Sequence, residues 1–178
     1  YWACVVQPRG PSCDHTLHAV NLLVSTNESD AALDITLNGP DLTFNTAIQA
    51  VVCGAPLSVT LDGVEQAMDA VFTLPAGSTL KLGAMRGAGV RSYLCLSGGI
   101  QVPDYLGSKS TFTLGQFGGH AGRALRSGDV LHLAPRSTNT AGTELPDAPR
   151  PDLPPVRTLR VIYGPHGAPV FFVRKSVV

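Results

Sequence analysis

The chain has 178 residues with 13 basic and 13 acidic side chains, so its formal net charge is zero, and it lacks the basic footprint with which proteins neutralise nucleic-acid phosphates. Only 15% of its residues are charged, against roughly 25% in an ordinary soluble domain, which predicts that part of its surface faces other protein. No stretch approaches the ~20 apolar residues of a membrane-spanning helix, and the first residues lack the charged and apolar regions of a secretory signal.

Glycine (19) and proline (14) are frequent, which suits short strands joined by tight turns. Residues 14–24 form the best candidate helix: Leu17, Val20, Leu22, Leu23 and Val24 supply an apolar face, and Asp14 is placed to cap it. The period then changes to two. Residues 33–37 alternate apolar and polar, Asn38-Gly39-Pro40 turns the chain, and residues 42–44 alternate again. Residues 48–53 are nearly all apolar, as in a strand buried on both faces. Residues 57–61 run into Asp62-Gly63, a strong hairpin signal. Strands are further predicted at 71–74, 79–82 and 90–96. This spacing argues for a mainly β fold, a sandwich or barrel with one short helix.

The segment 98–128 differs, being rich in glycine and long for a connection, and such loops are usually functional or in contact with something. Residues 129–133 read as a closing strand. Residues 1–134 are therefore assigned to one β-barrel unit, 135–157 to a proline-rich linker, and 158–178 to the truncated start of a second β unit, too short to bury a core. The missing initiator methionine fits a segment of a longer protein. Cys4, Cys13, Cys53 and Cys95 form no Cys-x-x-Cys pair, and with no secretory signal they read as reduced, cytosolic thiols.

Cys13-Asp14-His15 and His18 contain metal-ligating types, but their spacing matches no standard zinc signature, so no metal is assigned. The glycine clusters match neither phosphate-binding fingerprint, and Ser97 lacks a nucleophile elbow. The stretch 106–125 combines hydroxyls, an amine, an imidazole, a guanidinium and glycine-opened amides, which can hold an anionic or carbonyl-bearing ligand. The same residues also read as a glycine-rich loop closing a barrel, with Ser110 and Thr111 bonding their own backbone. No acid–base pair is identifiable, so no catalytic residue is assigned.

Three blocks within 91–129 carry a resemblance: Arg91-Ser92-Tyr93-Leu94-Cys95-Leu96-Ser97-Gly98-Gly99-Ile100, Leu106-Gly107-Ser108-Lys109-Ser110-Thr111-Phe112, and Phe117-Gly118-Gly119-His120-Ala121-Gly122-Arg123-Ala124-Leu125 with Gly128-Asp129. Leu33-Asp34-Ile35-Thr36-Leu37-Asn38-Gly39-Pro40 and Gly54-Ala55-Pro56 add to it. The chain resembles the biotin-dependent carboxyltransferase domain (allophanate hydrolase subunit 2-like) found in urea carboxylase, in urea amidolyase and in one component of bacterial 5-oxoprolinase. Phe117-Gly118-Gly119-His120 and Tyr163-Gly164-Pro165-His166 are closer to the urea carboxylase branch. The chain departs from the family pattern at Cys13, His18, Lys109 and Val170, where aspartate, arginine, arginine and aspartate are usual.

The resemblance implies a cyclophilin-like β-barrel and a cytoplasmic ligase in which carboxyl passes from carboxybiotin to urea, giving allophanate. Biotin would ride on a carrier domain outside this segment, and ATP with Mg would act only in a separate biotin carboxylase domain. The implied partners are those domains, a second carboxyltransferase half, and urea or a related small amide, without nucleic acid or membrane. Lys109, Ser110, His120 and Arg123, with the Gly118 and Gly119 amides, are the expected pocket residues. A component of a 5-oxoprolinase and a non-catalytic, degenerate β domain are the rival readings, and the departures fit a fragment inactive by itself.

Overall fold

The structure, a computed structural model, describes residues 20–135 except 22, 25, 28 and 88. It contains eight strands: β1 (Leu33–Thr36), β2 (Asp41–Thr43), β3 (Ile48–Gly54), β4 (Leu57–Leu61), β5 (Val64–Glu65), β6 (Phe72–Leu74), β7 (Thr79–Met85) and β8 (Arg91–Leu96). They form two four-stranded antiparallel sheets, ordered β1-β8-β3-β6 and β2-β7-β4-β5. The mainly β expectation holds. The described strands pair within these two sheets. Of the expected helix, Val20, Asn21 and Leu23 are helical. Residues 136–157 of the linker, the second unit, Cys13, His18 and Val170 lie outside the described residues.

Period-two alternation explains how the sheets pack. Leu33 and Ile35 of β1 turn inward to Leu80, Leu82, Val59 and Leu57 of the second sheet, while Asp34 and Thr36 turn outward. In β3 and β8 both faces are covered. Ala50, Val52, Leu94 and Leu96 join the inter-sheet core, and Val51, Cys53, Tyr93 and Cys95 pack under Val20, Leu23 and Val24. That double burial accounts for the unbroken apolar runs of these strands. Asp62 and Gly63 form the two-residue hairpin turn, both left-handed (φ 48° and 86°). Asp62 also accepts a hydrogen bond from Thr79 N (2.8 Å), tying the turn to β7.

One expected strand is reduced. Residues 129–133 make no ladder; Leu133 forms an isolated bridge with Ile100, with Gln101 N donating to His132 O and Ala134 N to Gly99 O. The partner segment is short because Gly98 and Gly99 turn it into the left-handed region and Pro103 soon follows.

Burial also fixes the chemistry of two cysteines. Cys53 and Cys95 are buried thiols outside any disulfide, and loss of water around Cys95 pushes its thiol up to about 12. Because the thiolate is the reactive form, alkylation at pH 8 followed by peptide mapping should leave both unmodified in the native chain and label both after denaturation.

Candidate functional site

A cleft of about 880 Å³ opens beside β1. Its walls are Ala31 to Thr36 with Arg91 and Tyr93 on the sheet side, and Gly107 to Thr111 with Gly119, His120 and Arg123 to Leu125 on the loop side. Four of the expected side chains, Lys109, Ser110, His120 and Arg123, therefore come together with Gly119. Gly118 does not line the cleft. Its place is structural: it sits at φ 73° against the Ser110 carbonyl, where a Cβ would collide, and Gly119 (φ 51°) leaves the same kind of space for the Thr111 side chain.

The loop that carries these residues folds by two adjacent tight turns. Tyr105 and Ser108 bridge across the first, and Phe112 and Phe117 across the second. The Phe117 ring fastens them together, 4.9 Å from the Tyr105 ring and 5.1 Å from the Phe112 ring. Leu106, Gln116 and Ala121 adopt left-handed backbone (φ 54° to 56°), a cost tolerated where the surroundings fix the chain and commonly met at functional sites. Ser108 Oγ accepts the Ser110 N–H and donates to Ser110 Oγ, both at 3.1 Å. The short-range side-chain bonding expected of this segment thus involves Ser108.

The charges are paired. Lys109 Nζ donates to Asp30 Oδ1 (2.8 Å), fastening the loop to the segment before β1. Arg91 Nη1 donates to Asp34 Oδ1 (3.0 Å) across the outer face of β1 and β8. Arg123 donates twice to Asp129, from Nη1 to Oδ2 (2.7 Å) and from Nη2 to Oδ1 (2.8 Å), and Arg126 N–H caps the same carboxylate (2.8 Å). The two guanidinium bonds, then the Arg126 amide, hold the Asp129 carboxyl well below the usual carboxylate range. The same bonds raise the Arg123 guanidinium further above its ordinary value. His120 Nε2 lies 3.8 Å from Asp129 Oδ1, close enough for attraction when the imidazole is protonated. Among the described residues no group of three His, Cys, Asp or Glu side chains converges as a metal site would require, and the Cys13-Asp14-His15-His18 cluster lies outside them.

Sequence reasoning does not single out Asp30, Asp34, Arg91, Tyr93 or Asp129 as site residues. A signal exists: Asp34, Arg91 and Tyr93 lie in two of the motif blocks, and Asp129 closes a third. What the sequence lacks is proximity, since the Lys109–Asp30 pair spans 79 positions and the Arg91–Asp34 pair 57.

The chain belongs to the family described as the carboxyltransferase domain, subdomain A and B, whose model matches residues 5–177. It is 37% identical to urea amidolyase of Saccharomyces cerevisiae over 99% of its own length and 10% of that protein's. It also matches a 5-oxoprolinase subunit of Haemophilus influenzae, at 34% identity over 66% of this chain and 38% of that protein. The crystal structure of the Kluyveromyces lactis urea carboxylase superposes with a TM-score of 0.72 at 39% identity, covering 86% of this chain and 14% of that one. The chain thus spans about a tenth of the length of the urea amidolyases it matches. Among the described residues no helix is long and apolar enough to cross a membrane.

Proposed function

We propose that this chain forms the acceptor-side wall of the carboxyltransferase in a biotin-dependent urea carboxylase, working with a second carboxyltransferase half, a biotin carrier and a biotin carboxylase domain in one longer polypeptide. One observation carries this reading. Each of the three permanent cations lining the cleft, Arg91, Lys109 and Arg123, is bonded to a carboxylate at 3.0 Å or less. A charged ligand would have to break such a pair, whereas a small neutral molecule rich in hydrogen-bonding groups would not. Urea and the ureido ring of biotin, once it has given up its carboxyl, are both of that kind, and the cleft lies within the size range of ligand sites. The residues present therefore fit a biotinyl group.

That group, when bound, would supply an activated carboxyl. The chain's own share is positioning. Arg123, fixed by Asp129, would hold the 119–125 wall in place, Lys109 would latch the loop to Asp30, and His120 would present an imidazole at the rim. The unit break at 135–157 and the second β unit at 158–178 are part of the same proposal. So is a cytoplasmic setting, in which the buried thiols of Cys53 and Cys95 stay reduced. Coverage of the whole chain by the urea amidolyase match, against two thirds by the 5-oxoprolinase match, favours the first acceptor.

The test is a chimera in which residues 5–177 replace the equivalent segment of the intact yeast urea amidolyase. Urea-dependent turnover should be retained. Arg123→Ala should lower it about 100-fold, the scale expected when a site is displaced by an ångström, and His120→Ala should lower it too, both leaving bicarbonate-dependent ATP cleavage intact. Unchanged urea carboxylation in both variants would remove these residues from the site, and turnover with 5-oxoproline alone would select the other branch.

A further inference from the structure

The cleft is wrapped around a strand edge. Six consecutive residues, Ala31 to Thr36, line it, yet side chains of a strand alternate between faces. The surface that such a run shares is the edge of β1 away from β8, and no described strand pairs with it. The direction of its polar groups follows from register. Leu37 N donates to Val90 O (3.3 Å), continuing the antiparallel alignment of Leu33 with Leu94 through Thr36 with Arg91. Alternation along an antiparallel pair then turns Leu33 and Ile35 toward β8, and Ala32, Asp34 and Thr36 toward the cleft.

The available edge is short. Thr36 O already accepts from Asn38 N (2.7 Å), and beyond it the chain crosses to the second sheet, where Met85 N donates to Leu37 O and Asn38 bridges Ala84. Ala32 and Asp34 remain as complete N–H and C=O pairs, about 7 Å apart at the usual rise per residue. A peptide added as a fifth strand would find too little to pair with. A small molecule would find enough, and the Asp34 carboxylate, occupied by Arg91, leaves recognition to the main chain.

We infer that the outer edge of β1 is a main-chain binding site for a neutral ureido or amide group, whose C=O accepts from Asp34 N–H while its N–H donates to Asp34 C=O, with Ala32 offering a second, equivalent position. The inference rests on the carboxyl-transfer reading for its ligand class and adds where in the cleft that ligand lies. Two sources share this chemistry, a urea-like acceptor and the biotin ring, and two probes separate them.

Titration of the 15N-labelled 178-residue chain with methylurea and, separately, with biotin methyl ester should shift the Ala32 and Asp34 amide resonances saturably. A response to methylurea alone assigns the edge to the acceptor, and a response to biotin methyl ester assigns it to the carrier-borne ring. Saturable shifts confined to His120 and Arg123, no saturable shift with either probe, or a larger shift of these two amides with acetate would each overturn the inference. A failed titration beside an active chimera removes only the edge site. A successful titration beside a chimera that turns over no urea removes only the transfer reading.

Discussion

Asp129→Asn should leave both sheets folded and reduce urea-dependent turnover of the chimera about 100-fold. Asp129 lies outside the eight strands, in the loop that follows them. Its carboxylate takes two bonds from Arg123 and one from the Arg126 amide, and these close the segment that places Gly119, His120 and Arg123 to Leu125 in the loop wall of the cleft. An amide in its place keeps one acceptor oxygen and loses the charge, so the bidentate pairing of Arg123 is broken. The wall would then wander by distances that matter for group transfer and not for stability. Hydrogen exchange should accelerate across 118–129 and stay unchanged in β3 and β8, while the thermal midpoint moves little. A collapse of the midpoint would show Asp129 to be part of the structural core.

The pH dependence of that pair has a definite sign. The folded carboxyl titrates below its unfolded value of about 3.9. Its contribution is therefore fully present above about pH 4 and is lost as the pH falls through the lower folded value. Parent and Asp129→Asn chains should differ in loop protection at neutral pH and converge only in strong acid.

The second large effect belongs to the core. Leu94 is fully buried in β8, aligned with Leu33 of β1 on one side and Val52 of β3 on the other, and packed against the second sheet. Leu94→Ala removes three side-chain carbons from a fully buried position, which costs about 2–5 kcal/mol against the about 5–15 kcal/mol that holds an ordinary domain together. Denaturant unfolding should show the midpoint falling with the slope unchanged. A loss below 1 kcal/mol would mean that the two sheets do not share this contact.

The division between what can be read along the chain and what cannot is visible at particular residues. Strand β4 is expected at 57–61 and is found there, because its alternation and the Asp62-Gly63 turn are local signals. Strand β7 runs three residues further than expected, through Gly83, Ala84 and Met85. Gly83 and Ala84 have weak strand preference, and the pairing of Leu57 with Met85 and of Asn38 with Ala84 extends the strand. The closing strand fails for the converse reason: Val130 and its neighbours have strand-like composition, but their partner at 99–101 is too short to build a ladder.

The candidate site divides in the same way. Its loop wall is legible because glycines at fixed places beside Lys109, His120 and Arg123 form a long motif. Its sheet wall is not, since periodicity says that Asp34 faces outward without saying that a cleft lies beside it, and no sequence rule couples Asp30 to Lys109 across 79 positions. By itself, then, the sequence determined the strand content, the family and the chemical types gathered in the loop, all of which rest on near neighbours in the chain. Only the tertiary structure decided that the cations are neutralised and that an open strand edge meets them, because ion pairing and edge exposure depend on which distant segments the fold brings within a few ångströms.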